Sequence, residues 1–197
     1  MKLKKNTKNI LWTALIAAAI AFAVYFVISE KYLPPNFTEA KNNSAVIAQE
    51  IVSLTEESIK KLDDISSYDR RGNFSKAIEL VREELERAKE SRLKATNLTK
   101  QIETMTIAGN EISPAKARNL AIEAISQELA LVTHLIVYND TLNALLQTLE
   151  FKFSGDIRYD ADDVQKLVKN MNDEAREINK LNDSFNEKMK QLDELFK

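Results

Sequence analysis

Two charged residues stand where helical periodicity predicts buried apolar side chains. Arg92 interrupts a nearly heptad run between Ala88 and Ala95, and Glu128 interrupts the apolar stripe of a later helix. If these two helices are antiparallel neighbours, Arg92 and Glu128 can meet as a buried ion pair that fixes the helix register. The alternative is that Arg92 holds an anionic ligand between the helices.

The residues that most enzymes use for catalysis are scarce in this chain. It contains no cysteine, one histidine (His134) and three glycines. A single histidine cannot build the usual metal cluster, and the Glu-x-x-His pair of di-iron bundles is absent. Catalysis would need a clustered nucleophile, base and oxyanion donors. We therefore expect a non-enzymatic protein with no catalytic residue, no cofactor and no metal site.

A cluster of aspartates after residue 155 has the residue types of a calcium loop but not the spacing. In a loop of the EF-hand type that starts at Asp156, the third, sixth and twelfth positions would fall on Arg158, Ala161 and Leu167. All three residues are wrong for such a loop. The aspartates Asp160 to Asp163 instead suit the N-terminus of a helix, where negative charge is favourable.

The helix predicted from Ser113-Pro114 to about Lys152 has the widest apolar face in the chain. Beside its main stripe runs a second stripe that consists of Ile122, Ile125, Leu129, Val132 and Ile136. The simplest interpretation is that this helix is the most buried one. If part of the second stripe is exposed, it is a candidate surface for a protein partner.

The N-terminal segment has the composition of a membrane anchor. Ile10 to Ile28 contains no charge, and a bilayer core of about 30 Å requires roughly 20 apolar residues. Trp12 and Tyr25 lie near its two ends, as interfacial aromatics do. A cleaved signal peptide is the alternative, since Ala21-Phe22-Ala23 loosely fits a cleavage site. The apolar run continues beyond that site, which favours an uncleaved anchor that contacts the bilayer through residues 9–29.

The distribution of charge predicts the orientation. Residues 1–31 carry five lysines against one glutamate, or +4, so a total of −2 leaves −6 on residues 32–197. By the positive-inside rule the N-terminus is cytoplasmic and the remainder lies outside, at the cell membrane. An acidic domain is also a poor nucleic-acid binder, because contacts to phosphate dominate that affinity.

The rest of the chain predicts an all-α protein. Few glycines and prolines, with much Ala, Leu, Glu and Lys, favour long helices. We expect a cytoplasmic basic tail (residues 1–8), a transmembrane helix (9–32), a spacer that contains Pro34-Pro35 (33–36) and an antiparallel bundle of four long helices (37–197). Asn36 or Thr38 is the expected first cap, and Ser113 is the expected cap of the third bundle helix, with Pro114 as its first residue.

The function that these features favour is interaction. A single-pass, membrane-tethered helical bundle without catalytic residues suits a scaffold or interaction module that binds a protein partner or itself. The alternative is a ligand-sensing four-helix bundle, similar to the sensory domains of bacterial receptors, that signals through a membrane partner. Shared architecture does not decide between the two functions.

Overall fold

A computed structural model describes residues 33–196, which form four long α-helices and no strand. The helices are α1 (Pro35–Arg70), α2 (Phe74–Gly109), α3 (Ala115–Ser154) and α4 (Ala161–Glu194). At 1.5 Å per residue, helices of 34 to 40 residues are roughly 50–60 Å long. The predicted all-α class and the antiparallel bundle of four long helices are confirmed.

The helices pack most closely with their neighbours in the chain. Extensive contacts join α1 to α2, α2 to α3 and α3 to α4, whereas no comparable contact joins α1 to α4 among these helices. The backbones of α1 and α4 are therefore farther apart than those of the other neighbouring pairs. The helix α3 contacts both α2 and α4, and its wide apolar face supplies side chains to both contacts.

The turns between the helices contain glycine and polar residues that suit the ends of helices. Gly72 and Gly155 have φ angles of 70° and 71°, which are left-handed values that favour glycine. The Oδ1 atom of Asn73 accepts a hydrogen bond from the backbone N–H of Lys76, as expected of a cap. Asp160 caps α4 by accepting from the N–H of Asp162, so the capping interpretation of the aspartate cluster is confirmed.

Two helix starts differ from the expected ones. The helix α1 begins at Pro35, inside the expected spacer, and Pro34 occupies the cap position without a side-chain hydrogen bond. Neither Asn36 nor Thr38 is the cap, because proline fits the first turn of a helix and lets α1 start earlier. In α3 the cap is Pro114 rather than Ser113, and α3 starts one residue later than expected.

The core consists of two apolar clusters, one in each half of the bundle. One cluster joins Leu33 and Phe37, at the start of α1, to Met105 of α2 and to Met189 and Leu192 of α4. The start of α1 and the end of α4 therefore lie at the same end of the bundle, as an even number of antiparallel helices requires. The other cluster fills the opposite half, around Leu80, Leu146 and Met171 and their neighbours.

The predicted anchor and the basic tail lie outside the described residues, so the predicted orientation in the membrane stays a prediction. Among residues 33–196, α3 is the one helix whose length and apolar composition would allow it to cross a membrane. It lies in the middle of the chain, and its flanks form ion pairs with α2 and α4, which is typical of the core helix of a bundle.

Candidate functional site

Arg92 forms a surface ion pair with a residue other than Glu128. Its Nε atom donates to Oδ1 of Asp140 at 2.7 Å, and both side chains are about half exposed. Asp140 lies twelve residues beyond Glu128, about 18 Å farther along α3. The structure therefore does not bring the two residues of the predicted pair together, and Arg92 does not point into the interior.

Glu128 is buried as its position in the apolar stripe indicates. Its side chain is 3% exposed, and no hydrogen bond or ion pair joins its carboxyl group to another residue between 33 and 196. Loss of solvation raises the pKa of Glu128 to about 8. The carboxyl group is therefore mainly protonated at neutral pH, which avoids most of the cost of burying a charge.

The predicted partner face of α3 is only partly exposed. Ile125 and Val132 are buried in the core, and Ile136 packs partly against it. Ile122 and Leu129 remain 39% and 45% exposed. Successive helix residues are about 100° apart around the axis. Ile125 and Val132 therefore face the neighbouring helices, whereas Ile122 and Leu129 face solvent.

Five exposed residues of α3 lie along one side of the helix and form a neutral surface, which we call the α3 stripe. It consists of Ile122, Ser126, Leu129, Thr133 and Val137, at steps of three and four residues. All five side chains are exposed, and none carries a charge. A stripe with this period is the face that a helix presents to another helix.

The hydroxyl groups in the α3 stripe already have hydrogen-bond acceptors within the helix. Ser126 donates to the carbonyl oxygen of Ile122 at 2.9 Å, and Thr133 donates to that of Leu129 at 2.9 Å. A donor that is satisfied internally loses little when a partner displaces water. Covering the α3 stripe therefore costs less desolvation energy than covering an ordinary polar surface.

The neighbouring helix α2 extends this apolar surface. Ile107 is 67% exposed near the end of α2, and the α2–α3 ion pairs, Arg82 with Glu150 and Arg92 with Asp140, set the register of the two helices. In that register each residue farther along α2 faces a residue one position earlier in α3, so Ile107 lies at the height of Ile125, next to Ser126 of the stripe. The contribution of Ile107 to this surface could not be predicted from the sequence, because periodicity does not reveal which neighbouring helix lies beside it.

A polar layer crosses the bundle at the height of Glu128. Ser44 of α1 and Asn182 of α4 are buried there, and neither the Ser44 hydroxyl nor either amide atom of Asn182 has a hydrogen-bond partner among the described residues. Each unpaired buried polar atom costs about 1–3 kcal/mol. The sequence analysis missed this layer because serine and asparagine in a helix are usually exposed.

A second buried carboxyl group, that of Glu84, lies in the other half of the bundle. The carboxylate of Glu84 is almost fully buried and is paired with Arg87, whose Nε atom also lies 3.3 Å from Glu57. Arg87 therefore bridges α1 and α2. This contact differs from the predicted pair of Arg92 and Glu128, which would have joined α2 to α3.

His134 links α3 to α4. Its Nδ1 atom lies 2.7 Å from Oε2 of Glu174, and both side chains are partly exposed. About three turns away along the same side of this interface, Nζ of Lys188 lies 2.6 Å from a carboxylate oxygen of Glu123. These contacts support a structural role for His134. Among the residues that the structure describes, no group of three or more histidine, cysteine or acidic side chains could hold a metal ion.

Comparisons of the chain with protein-family models, with curated proteins and with solved structures gave no match. The function must therefore be inferred from the chain's own residues and geometry.

Proposed function

We propose that this protein is a membrane-anchored, non-enzymatic interaction module whose helical bundle binds a protein partner outside the cytoplasm. The observation that carries this proposal is the α3 stripe. It is a neutral, partly apolar helix face about 15 residues long on a bundle whose surface is otherwise rich in charge.

Covering this face with a partner should be favourable in free energy. Burial of apolar surface gains about 25 cal/mol per Å², and the three large side chains of the α3 stripe are already held on a rigid helix. The loss of side-chain entropy on binding is small for isoleucine and leucine compared with lysine or glutamate. The α3 stripe can therefore bind a partner helix at lower cost than the charged surface around it.

The membrane part of the proposal is supported by the sequence. The uncharged run from Ile10 to Ile28 has the length of one membrane span, and the four lysines before it favour a cytoplasmic N-terminus. The bundle would then begin directly after the span.

A substitution in the α3 stripe tests the proposed function. Leu129→Lys in the full chain places a charge in the centre of the stripe without disturbing the core. Chemical cross-linking in membranes of the native cells should capture a complex of the unmodified chain. We expect this complex to be lost with Leu129→Lys. Leu93→Lys is the matched control, because Leu93 is an exposed leucine of α2 outside the stripe. If both variants retain every complex of the unmodified chain, the proposal is wrong.

The polar layer favours ligand sensing as a second candidate function. Buried polar atoms without partners are costly, and a small polar molecule between α1 and α4 would satisfy Ser44 and Asn182. Native mass spectrometry of the chain released from membranes tests this function. A bound small molecule that is present in the unmodified chain and lost in Asn182→Leu would support it, and the absence of any bound mass would contradict it.

A further inference from the structure

We propose that the partner of the α3 stripe is a second copy of this chain, which docks in parallel so that the two α3 helices lie side by side in register. The inference rests on the proposed function, since it names the occupant of the same surface. Two observations carry it: the spacing within the stripe and the charges beside it.

The spacing suits a parallel helix pair. Ile122 and Leu129 are seven residues apart, and so are Ser126 and Thr133, which alternate with them along the stripe. In a parallel two-fold pair each of these residues meets its own counterpart, as the core positions of a parallel coiled coil do. The small hydroxyl residues at the intermediate positions let the two helices approach closely.

The charges on either side of the α3 stripe lie at matching heights. On the α2 side, the register with α3 places Glu103 beside Leu129 and Lys100 beside Val132. On the α4 side, the contact of His134 with Glu174 places Lys180 close to the height of Leu129, and Glu177 lies one turn away.

A parallel two-fold axis brings these two sides together. The axis runs along the bundle, so α2 of one copy faces α4 of the other at the same height. Glu103 then faces Lys180 of the second copy, and Lys100 faces Glu177. The exposed side chains of Lys100 and Glu103 form no ion pair with other residues in the described range. Lys180 and Glu177 pair with each other at 3.4 Å, but this exposed contact contributes little stability, so Glu103 and Lys100 of a second copy can replace it.

An antiparallel pair is less favourable on the same surface. It would place α2 of one copy over α2 of the other, and the two Glu103 carboxylates would face each other near the axis. Like charges at such positions repel and reduce affinity. An antiparallel pair would also send the two N-terminal segments to opposite ends of the dimer, which is incompatible with two anchors in one membrane.

The size of the α3 stripe predicts a weak dimer. Stable protein–protein interfaces bury about 1,200–2,000 Å² in total, and one face of a single helix with its flanks is at or below the lower limit. Tethering to a membrane raises the effective concentration of the two copies without any new contact. We therefore expect the dimer to form in a bilayer and to dissociate in dilute solution.

Disulfide cross-linking tests the arrangement, because the chain has no cysteine of its own. The full chain carrying Leu129→Cys or Ile122→Cys is purified, reconstituted in phosphatidylcholine and phosphatidylglycerol vesicles and oxidised. Since a disulfide needs Cα atoms within about 7 Å, a residue that is cross-linked to itself must lie near the two-fold axis. We expect covalent dimers with both variants. Val46→Cys and Leu93→Cys, two more exposed apolar positions outside the stripe, are the controls and should remain monomeric.

Three results would overturn the inference. Cross-linking of Ile122→Cys only to Val137→Cys in a mixed sample would show an antiparallel pair. Equal cross-linking of the controls would show random collision, and no cross-linking at any position would show that the chain does not pair with itself. As a second test, Lys100→Glu should lower the yield of the Leu129→Cys dimer about threefold, and adding Glu177→Lys should restore it.

The reconstituted sample contains no other protein, so this experiment separates the inference from the proposed function. If purified chains do not pair but Leu129→Lys still abolishes a complex in cell membranes, the α3 stripe binds a different protein. The proposed function then stands, and the second-copy inference fails.

Discussion

Glu128 shows how one buried carboxyl group can make the stability of the whole bundle depend on pH. Its pKa is about 8 in the folded chain, because burial removes its solvation, and about 4.5 in the unfolded chain. Between these two values the folded state retains a proton that the unfolded state has lost. The free energy of unfolding therefore decreases as the pH rises from about 4.5 to about 8, and it levels off above that range.

Replacing Glu128 with leucine should remove this pH dependence. We expect Glu128→Leu to be more stable than the unmodified chain at pH 8 by up to roughly 4 kcal/mol, since each pKa unit is worth 1.36 kcal/mol. The gain should be much smaller at pH 5. Urea unfolding followed by circular dichroism at both pH values measures it, with the exposed Glu103→Gln as the control. An equal effect at the two pH values would contradict this account.

The two arginines of α2 should differ in their contributions to stability. Arg87→Met leaves the buried carboxylate of Glu84 without its ion pair, and we expect a loss of about 3 kcal/mol. Arg92→Met breaks an ion pair between two exposed side chains and should cost less than about 1 kcal/mol. Thermal unfolding of the two variants compares them directly, and similar losses would show that Glu84 does not depend on Arg87.

Periodicity predicted the environment of single residues better than their partners. It predicted correctly that Glu128 stands in an apolar seam, because position along a helix fixes the face. It did not predict that Arg92 contacts Asp140, since the relative height of two helices depends on the path of the connecting residues 110–114. A periodic pattern contains no information on that path.

At the scale of the helices, the glycines at the turns differ in how well they should tolerate a side chain. Gly155 has a φ of 71°, so Gly155→Ala should cost about 1–2 kcal/mol of stability. Gly109 ends α2 without a positive φ, and an added Cβ would meet Cδ1 of Ile125 at 3.4 Å and the ring of Phe37 at 3.9 Å, which are ordinary packing distances. Gly109→Ala should therefore cause no loss. Urea unfolding of both variants tests the pair, and equal losses would contradict the distinction.

The helices themselves were largely predictable from the sequence. Their turns contain glycine, asparagine or aspartate at positions that require them, and these local rules hold without knowledge of the rest of the fold. The starts of α1 and α3 were less predictable because a proline occupies the cap position at each place, where a polar residue was expected. The exposed part of α3 was also hidden, since a wide apolar face does not reveal which of its residues the neighbouring helices will cover.

At the scale of the whole molecule, the bundle should fold without the N-terminal segment. Among the described residues, each of the two core clusters contains side chains from all four helices. We expect a chain that lacks residues 1–32 to retain its helical content and to leave the membrane fraction after alkaline extraction, while the full chain remains in it. Circular dichroism and sedimentation measure the two properties. A truncated chain that stays in the membrane pellet would contradict the proposed anchor.

The start of α1 and the end of α4 lie at the same end of the bundle, which determines how the bundle responds to mechanical force. A load applied between Leu33 and the end of α4 acts on the two outer helices, each of which has only one close neighbour. Such a load would peel α1 and α4 from the bundle a few contacts at a time rather than shear whole interfaces at once. The protein should therefore yield at low force when it is pulled by its ends, whereas α2 and α3 should separate last.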